Sequence, residues 1–308
     1  MKVLILQGMP ASGKSYYAKK LVSDNPGSWK RVNKDDLRAM LDVSVWNKAN
    51  EKFVLAMRDQ VIVRALSQGY NVVVDDTNLD PRHEYDIRQM LVFHSHPNVR
   101  SAEVDTKFFD TPVAVCIERD AERPVGAGHV GEDVIRKFAS QLVSGKPRPL
   151  TRAVIVPEPY VLTPGLPEAI MVDIDGTLAH MTPEGRLRLG ERAPYAWHKV
   201  GEDAPDAELR RILNMLNNRY KVIIMSGRDG VCQPETEDWL RDNNIYYDEL
   251  HMRGEKDQRK DNIVKLELFN QFVRGKYNIG VVFDDRNQVV QMWRALGLNC
   301  YQVADGDF

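Results

Sequence analysis

Val3-Leu4-Ile5-Leu6-Gln7-Gly8-Met9-Pro10-Ala11-Ser12-Gly13-Lys14-Ser15 opens the chain with an apolar run, then a glycine-bounded turn, then the start of a helical pattern. The run at 3–6 predicts a buried strand, and the residues from about Lys14 predict a helix. A later helical pattern with apolar positions at Phe53, Met57, Ile62 and Leu66 leads into a second buried run at 71–74. Strands separated by helices form βαβ units, and therefore a parallel sheet. The second half follows the same logic, with strands predicted at 170–172, 222–225 and 279–283. In all three the chemically distinctive residues come directly after the strand. Open α/β sheets bind their ligands at that end.

A chain of 308 residues exceeds what one hydrophobic core usually organises, so two domains are expected. Six of the sixteen prolines, Pro147, Pro149, Pro157, Pro159, Pro164 and Pro167, fall in one stretch that reads as a linker. The expected division is a domain at 1–147, a linker at 148–167 and a second domain at 168–308. With 43% hydrophobic and 28% charged residues the composition is that of a globular protein. The net charge of −2 divides into +3 for residues 1–150 (22 Lys+Arg, 19 Asp+Glu) and −5 for the remainder (20 and 25). Such mild values argue against coating long nucleic acid by charge, yet they permit contact with a chain end at a few phosphates. The opening apolar run is too short for a signal peptide, and no stretch approaches the ~20 apolar residues of a membrane span. A cytoplasmic protein without a membrane partner is expected. Cys116, Cys232 and Cys300 lie far apart without metal-ligand spacing and read as buried thiols.

Residues 8–15 fit G-x-x-x-x-G-K-[ST], the P-loop pattern, in the strand-to-helix setting it requires. Gly8, Ser12 and Gly13 let backbone N–H groups wrap a phosphate. Lys14 neutralises its outer oxygens, and the Ser15 hydroxyl offers a Mg²⁺ ligand. Bound ATP with Mg²⁺ is the expectation. In Asn33-Lys34-Asp35-Asp36-Leu37-Arg38, an acid could take a proton from an acceptor hydroxyl while Arg38 holds a phosphate. A plain helix start with acids in its first turn fits equally. Asp75-Asp76-Thr77-Asn78 ends the second strand as either a pocket or a capping turn. Arg119 and Arg123, ahead of Gly126-Ala127-Gly128, suit a lid over transferring phosphates, or an exposed helix face.

Asp173-Ile174-Asp175-Gly176-Thr177 places two carboxylates two residues apart just beyond a strand. The first can attack phosphorus, and the second can protonate the leaving oxygen and then activate water. The D-x-D-G-T pattern resembles the haloacid-dehalogenase-like phosphatases. Their further features follow in order: Ser226-Gly227-Arg228, Lys260 in a basic segment, and Asp284-Asp285-Arg286. Ser226 and Lys260 would hold phosphoryl oxygens and the nucleophile. Asp173, Asp175, Asp284 and Asp285 form an all-oxygen set suited to Mg²⁺.

Taken together, the P-loop, Lys-Asp-Asp-Leu-Arg, Asp-Asp-Thr-Asn-Leu, Arg-x-x-x-Arg and D-x-D-G-T motifs resemble the bacteriophage-type polynucleotide 5′-kinase/3′-phosphatases over nearly the whole chain. The resemblance implies a P-loop NTPase-like parallel-sheet domain followed by a haloacid-dehalogenase-like Rossmannoid domain. It implies ATP and Mg²⁺ at Lys14 and Ser15, Asp35 as general base, Arg38 on the substrate phosphate, and Asp76, Thr77 and Asn78 around that pocket. Arg123, with Arg119, would stabilise the transferring phosphoryl group. In the second domain it implies Asp173 as nucleophile, Asp175 as acid/base, and Arg228 and Asp257 as further site members. The segment 178–191 is longer than in the phage enzymes, which leaves Arg186 and Arg192 as alternatives for reaching the substrate. RNA or DNA strand ends and coupling to a ligase are the implied partners, and a homo-oligomer stays open. A kinase/phosphatase acting on a small metabolite is the rival reading, since both folds host such enzymes. Trp46, Trp197, Trp239 and Trp293 read as packing ahead of base stacking, His94 and His96 as loop residues, and Met57, Met90, Met215 and Met292 as core.

Overall fold

The computed structural model describes residues 1–124, 128–181 and 195–306. The chain forms two compact units, Met1–Val156 and Pro157–Phe308. In the first, β1 (Lys2–Gln7), α1 (Lys14–Asp24), β2 (Trp29–Val32), α2 (Lys34–Asp42), α3 (Lys48–Ser67) and β3 (Asn71–Val74) follow one another. They continue into α4 (Pro81–Val92), α5 (Pro97–Arg100), β4 (Glu103–Phe108), α6 (Val113–Ala121) and α7 (Glu132–Ala139). The four strands pair in the order β2-β3-β1-β4, all parallel.

Strand alternation explains why helices cover both faces of this sheet. Val72 and Val74 join Val3, Ile5, Ile62, Leu66, Ile87 and Leu91 on one side, whereas Val73 joins Leu6 and Ala18 of α1 on the other. Each such side chain taken fully out of water contributes ~1.5–3 kcal/mol. Short polar residues set the helix starts. Asn33 accepts from the Asp36 N–H, Asn47 from Asn50, and Asp80 from Arg82 just ahead of Pro81. One expectation shifts by a residue: α3 turns Val54, Ile62 and Leu66 inward and leaves Phe53 exposed.

The second unit runs through β5 (Glu168–Val172), a short antiparallel pair β6 (Ala179–His180) and β7 (Ala204–Pro205), α8 (Ala207–Leu216), β8 (Lys221–Asp229) and α9 (Gln233–Asp242). It closes with β9 (Glu249–Arg253), α10 (Asp261–Leu268), β10 (Asn278–Arg286), α11 (Asn287–Ala295) and β11 (Cys300–Gly306). Its parallel sheet has the order β11-β10-β5-β8-β9, which puts β5 at the centre between β10 and β8. Ile170, Val172, Val222 and Ile224 pack with Leu209 and Leu213 of α8 and Trp239 and Leu240 of α9.

The proline-rich stretch falls across the unit boundary, and each part is held within its own unit. Gln89 bonds both the N–H and the carbonyl of Ile155, at 2.9 and 2.8 Å, while the Tyr160 hydroxyl donates to Tyr277 O and accepts from the Ile279 N–H. All three cysteines are free and buried. Trp239 and Trp293 are core residues, but Met215 is exposed on α8, contrary to its reading as core. His96 caps the short α5. Among the described residues, no helix is long and apolar enough to cross a membrane.

Candidate active sites

In the first unit, β1 delivers the chain into the loop 8–13, and α1 starts at Lys14. A cavity of about 420 Å³ is lined by Ala11, Ser12, Gly13, Lys14, Ser15, Tyr16, Arg119 and Arg123, so both lid arginines meet the glycine loop. The Lys14 ammonium donates to Met9 O at 2.6 Å, Gly8 O at 2.9 Å and Ser12 Oγ at 3.3 Å. Burial lowers its pKa to about 8, with Asp75 opposing the shift. The Ser15 hydroxyl donates to Asp75 Oδ1 at 3.1 Å, and Arg31 Nε donates to Asp75 Oδ2 at 2.7 Å. Burial raises the Asp75 carboxyl. Ser15 and Asp75 thus juxtapose two hard oxygen donors beside the loop, a pair that fits Mg²⁺.

The acceptor side is built on α2 and α3. Asp35 is exposed and paired with Arg38, whose guanidinium is gripped by Glu51 of α3 through Nε at 2.7 Å and Nη2 at 3.0 Å. Of the predicted pocket residues, Thr77 accepts the Gly8 N–H on its carbonyl at 3.0 Å, and Asp76 Oδ1 accepts the Lys34 N–H at 2.9 Å. Asn78 departs from expectation. It is wholly buried with φ +44°, and its amide donates to Leu6 O at 2.9 Å, tying β1 to the turn after β3 instead of facing a substrate. Arg123 donates to Gly128 O at 2.6 Å and lies 3.4 Å from the buried Asp120. Asp120 accepts the N–H groups of Val130 and Gly131, anchoring the segment after Arg123. Gly126 and Ala127 lie outside the described residues.

In the second unit the ends of β5, β8 and β10 converge. Asp173, Asp284 and Asp285 are buried, and one carboxylate oxygen from each lies within 4.8 Å of the others. Asp285 Oδ1 is buried without a hydrogen-bond partner. Burial and Asp284 push the Asp285 carboxyl up to about 7. Burial, reinforced by the neighbouring acids and opposed by Lys265, raises that of Asp173 as well. Three hard oxygens with one lacking a partner fit a Mg²⁺ ion. Close packing forces two glycines here. A Cβ on Gly176, where φ is +78°, would stand 2.0 Å from Asp285 Oδ2, and one on Gly227 would stand 2.2 Å from Asp261 Oδ1.

Several residues take different places from those predicted. Lys265 of α10 is the lysine beside Asp173, 2.9 Å from both Asp173 and Asp284, whereas Lys260 is exposed at the start of that helix. Asp261, one turn before Lys265 and 3.8 Å from its ammonium, occupies the place expected for Asp257. Asp257 instead binds Arg259, which holds its carboxyl at about 2. The reason is local: 257 and 260 belong to the turn before α10, while positions four apart on α10 share the face toward the acids. Asp175 stays out of the metal-sized cluster because its carboxylate turns to Arg228 at 2.8 Å. Arg228 is fully buried, held also by Asp203 at 2.6 Å and Thr236 at 3.3 Å, so its guanidinium is taken up by partners within the unit. Ser226 is buried and accepts the Arg228 N–H at 3.2 Å. Arg186 and Arg192 lie outside the described residues.

Residues 167–308 match the family model of the polynucleotide kinase PNKP phosphatase domain, and residues 3–143 match that of the AAA domain. A chain in the solved structure of a Pnkp1/Rnl/Hen1 RNA repair complex is 34% identical, covering 100% of this chain and 97% of that one, with a TM-score of 0.46. This chain belongs to the polynucleotide kinase/phosphatase family. A second structure of the Pnkp1/Rnl/Hen1 complex gives 33% identity over 100% of this chain and 97% of the other, with a TM-score of 0.47. A candidate bifunctional polynucleotide kinase/RNA ligase of Autographa californica nuclear polyhedrosis virus is 29% identical over 96% of this chain. The chain spans 41% of the length of that viral relative. For this family member, motif reading missed Glu51, Asp120, Asp203, Asp261 and Lys265, and it placed Asp75 only within the cluster that follows β3. Only Lys265 carried a sequence signal, as a lone lysine inside the apolar run Ile263-Val264-Lys265-Leu266.

Proposed function

We propose that the chain heals broken nucleic-acid ends, its first unit phosphorylating a 5′-hydroxyl from ATP and its second removing a 3′-phosphate, with 2′,3′-cyclic ends as a further substrate. The observation that carries this reading is that a glycine-loop cavity faced by Lys14, Arg119 and Arg123 and a cluster of Asp173, Asp284 and Asp285 occur together in one member of a polynucleotide kinase/phosphatase family. On a metabolite the two activities would cancel, whereas on opposite strand ends they cooperate and leave ends fit for a ligase.

In the kinase half, Lys14, Arg119 and Arg123 surround the phosphates in the loop cavity. Asp35 accepts the acceptor proton, and Arg38, held rigid by Glu51, faces the substrate's phosphate. In the phosphatase half, Asp173 attacks phosphorus to form an aspartyl phosphate while Asp175, held by Arg228, protonates the leaving 3′-oxygen; Asp175 then draws a proton from water that breaks the acyl phosphate. Lys265 holds the nucleophile and neutralises part of the crowded negative charge. Mg²⁺, held by Asp173, Asp284 and Asp285, would offset charge on the phosphoryl oxygens.

The test is an oligonucleotide with a 5′-hydroxyl and a 3′-phosphate, offered as RNA and as DNA, both ends scored. Asp35→Asn should abolish only 5′ phosphorylation and Asp173→Asn only 3′ dephosphorylation. Turnover of sugars or nucleosides far above that of oligonucleotides would overturn the reading.

A further inference from the structure

The corner between α2 and α3 exposes apolar side chains that a folded domain normally hides. Met40 is 70% exposed, Val43 85%, Val45 58%, Trp46 68% and Phe53 55%. Single exposed hydrophobics need no explanation, but a contiguous group marks an interaction surface. The corner is firmly made. The N–H groups of Val43 and Ser44 both donate to Arg38 O, Val45 N–H donates to Asp42 O at 2.8 Å, and the Asn50 amide donates to Val45 O at 3.2 Å. Val43 and Ser44 both have left-handed backbones, at φ +49° and +64°, a conformation that a β-branched valine rarely takes.

What the corner adjoins identifies its occupant. It hangs from the carbonyl of Arg38, and the two helices it joins carry Asp35, Arg38 and Glu51. The corner ends the helix whose first turn carries Asp35, so a strand whose 5′-hydroxyl reaches Asp35 and runs along α2 meets it. The exposed Lys48 and Lys52 lie between the apolar residues in sequence. Aromatic and apolar surface mixed with cations fits a single strand, whose bases present π faces and whose backbone is anionic. We infer that the α2–α3 corner is a stacking platform for a nucleobase of the acceptor strand, with Trp46 as its principal contact and Lys48 and Lys52 beside the backbone. This rests on reading the first unit as a polynucleotide kinase.

Steady-state kinase assays at saturating ATP, with a 5′-hydroxyl oligonucleotide and its versions carrying one abasic residue at successive positions, test the inference. Trp46→Ala should raise the oligonucleotide KM about tenfold, leave the ATP KM unchanged, and be largely rescued by Trp46→Phe. At one abasic position the difference between wild type and Trp46→Ala should disappear. An active wild type with the same oligonucleotide KM as Trp46→Ala overturns the inference, and doubly so if the substitution alters sedimentation, since the corner would then join copies of the chain. A wild type that phosphorylates no oligonucleotide instead removes the kinase reading itself, so the two failures are told apart.

Discussion

Lys265 Nζ lies 2.9 Å from Asp173 Oδ1, with the lysine side chain fully buried. Its ammonium is equally close to Asp284, so it is the positive charge nearest two buried acids. Removing one member of a buried charged group leaves the others uncompensated, typically at ~3–5 kcal/mol. Lys265→Met should therefore destabilise the second unit by about that amount and abolish 3′-phosphatase activity. Lys265→Arg should not restore it, because a planar fork replaces a compact point charge. Lys260→Ala should be nearly silent in both urea unfolding and phosphatase assays. An active Lys265→Met enzyme would sink this assignment.

The contrast between Lys260 and Lys265 shows how far the sequence could be read. Each strand-end motif was legible because its residues are contiguous: Gly8 to Ser15, Asp173 to Thr177, Asp284-Asp285. The buried runs around 71–74 and 170–172 likewise announced a parallel sheet. Illegible were partners supplied by another element through packing. Asp75, just after β3, meets Ser15 of α1, Glu51 reaches Arg38 from the next helix, and Asp203 reaches Arg228 from a loop 25 residues away. Asp257 and Lys260 illustrate the converse, since nothing in the sequence separates a polar turn from the helix face that follows it.

Asp203 and Arg228 form a 2.6 Å pair with essentially no exposure of either side chain, and Trp239 Nε1 donates to Asp203 O at 2.7 Å. Arg228 in turn fixes Asp175. If this chain of contacts positions the general acid, its loss should depend on the leaving group. Asp203→Asn should slow release from a 3′-phosphorylated oligonucleotide on the order of 10²-fold. Turnover of p-nitrophenyl phosphate, whose leaving group needs no proton, should fall far less, and kinase activity should persist. Equal losses on both phosphatase substrates would mean that Asp203 serves only the fold.

Gly176 offers a direct test of the metal cluster. A Cβ there would stand 2.0 Å from Asp285 Oδ2 and would also require a left-handed backbone. Gly176→Ala should displace Asp285 and lower phosphatase activity about 10²-fold or more. Titration with Mg²⁺ should show weakened binding in the variant, while 5′ phosphorylation continues. Unchanged Mg²⁺ affinity would exclude Asp285 from the ligand set.

His83, in the first turn of α4, predicts a pH dependence confined to the first unit. Burial, with repulsion from Lys34 and Arg58, lowers its pKa from 6.5 to about 4, and its Nδ1 is buried without a partner. The folded state therefore keeps the imidazole neutral where the unfolded chain protonates it. Between pH 6.5 and 4 the unfolded state binds more protons, so stability falls as pH drops through that window and this contribution is flat outside it. The loss over that window should be on the order of 3 kcal/mol. Asp80, held at about 2 by Arg82, contributes stability that disappears only below its unfolded value of 3.8, which keeps the two effects apart. Urea unfolding at pH 7 and pH 4.5 measures the difference directly. His83→Phe should flatten it relative to wild type, and an equal pH response in the two proteins would rule out a buried neutral His83.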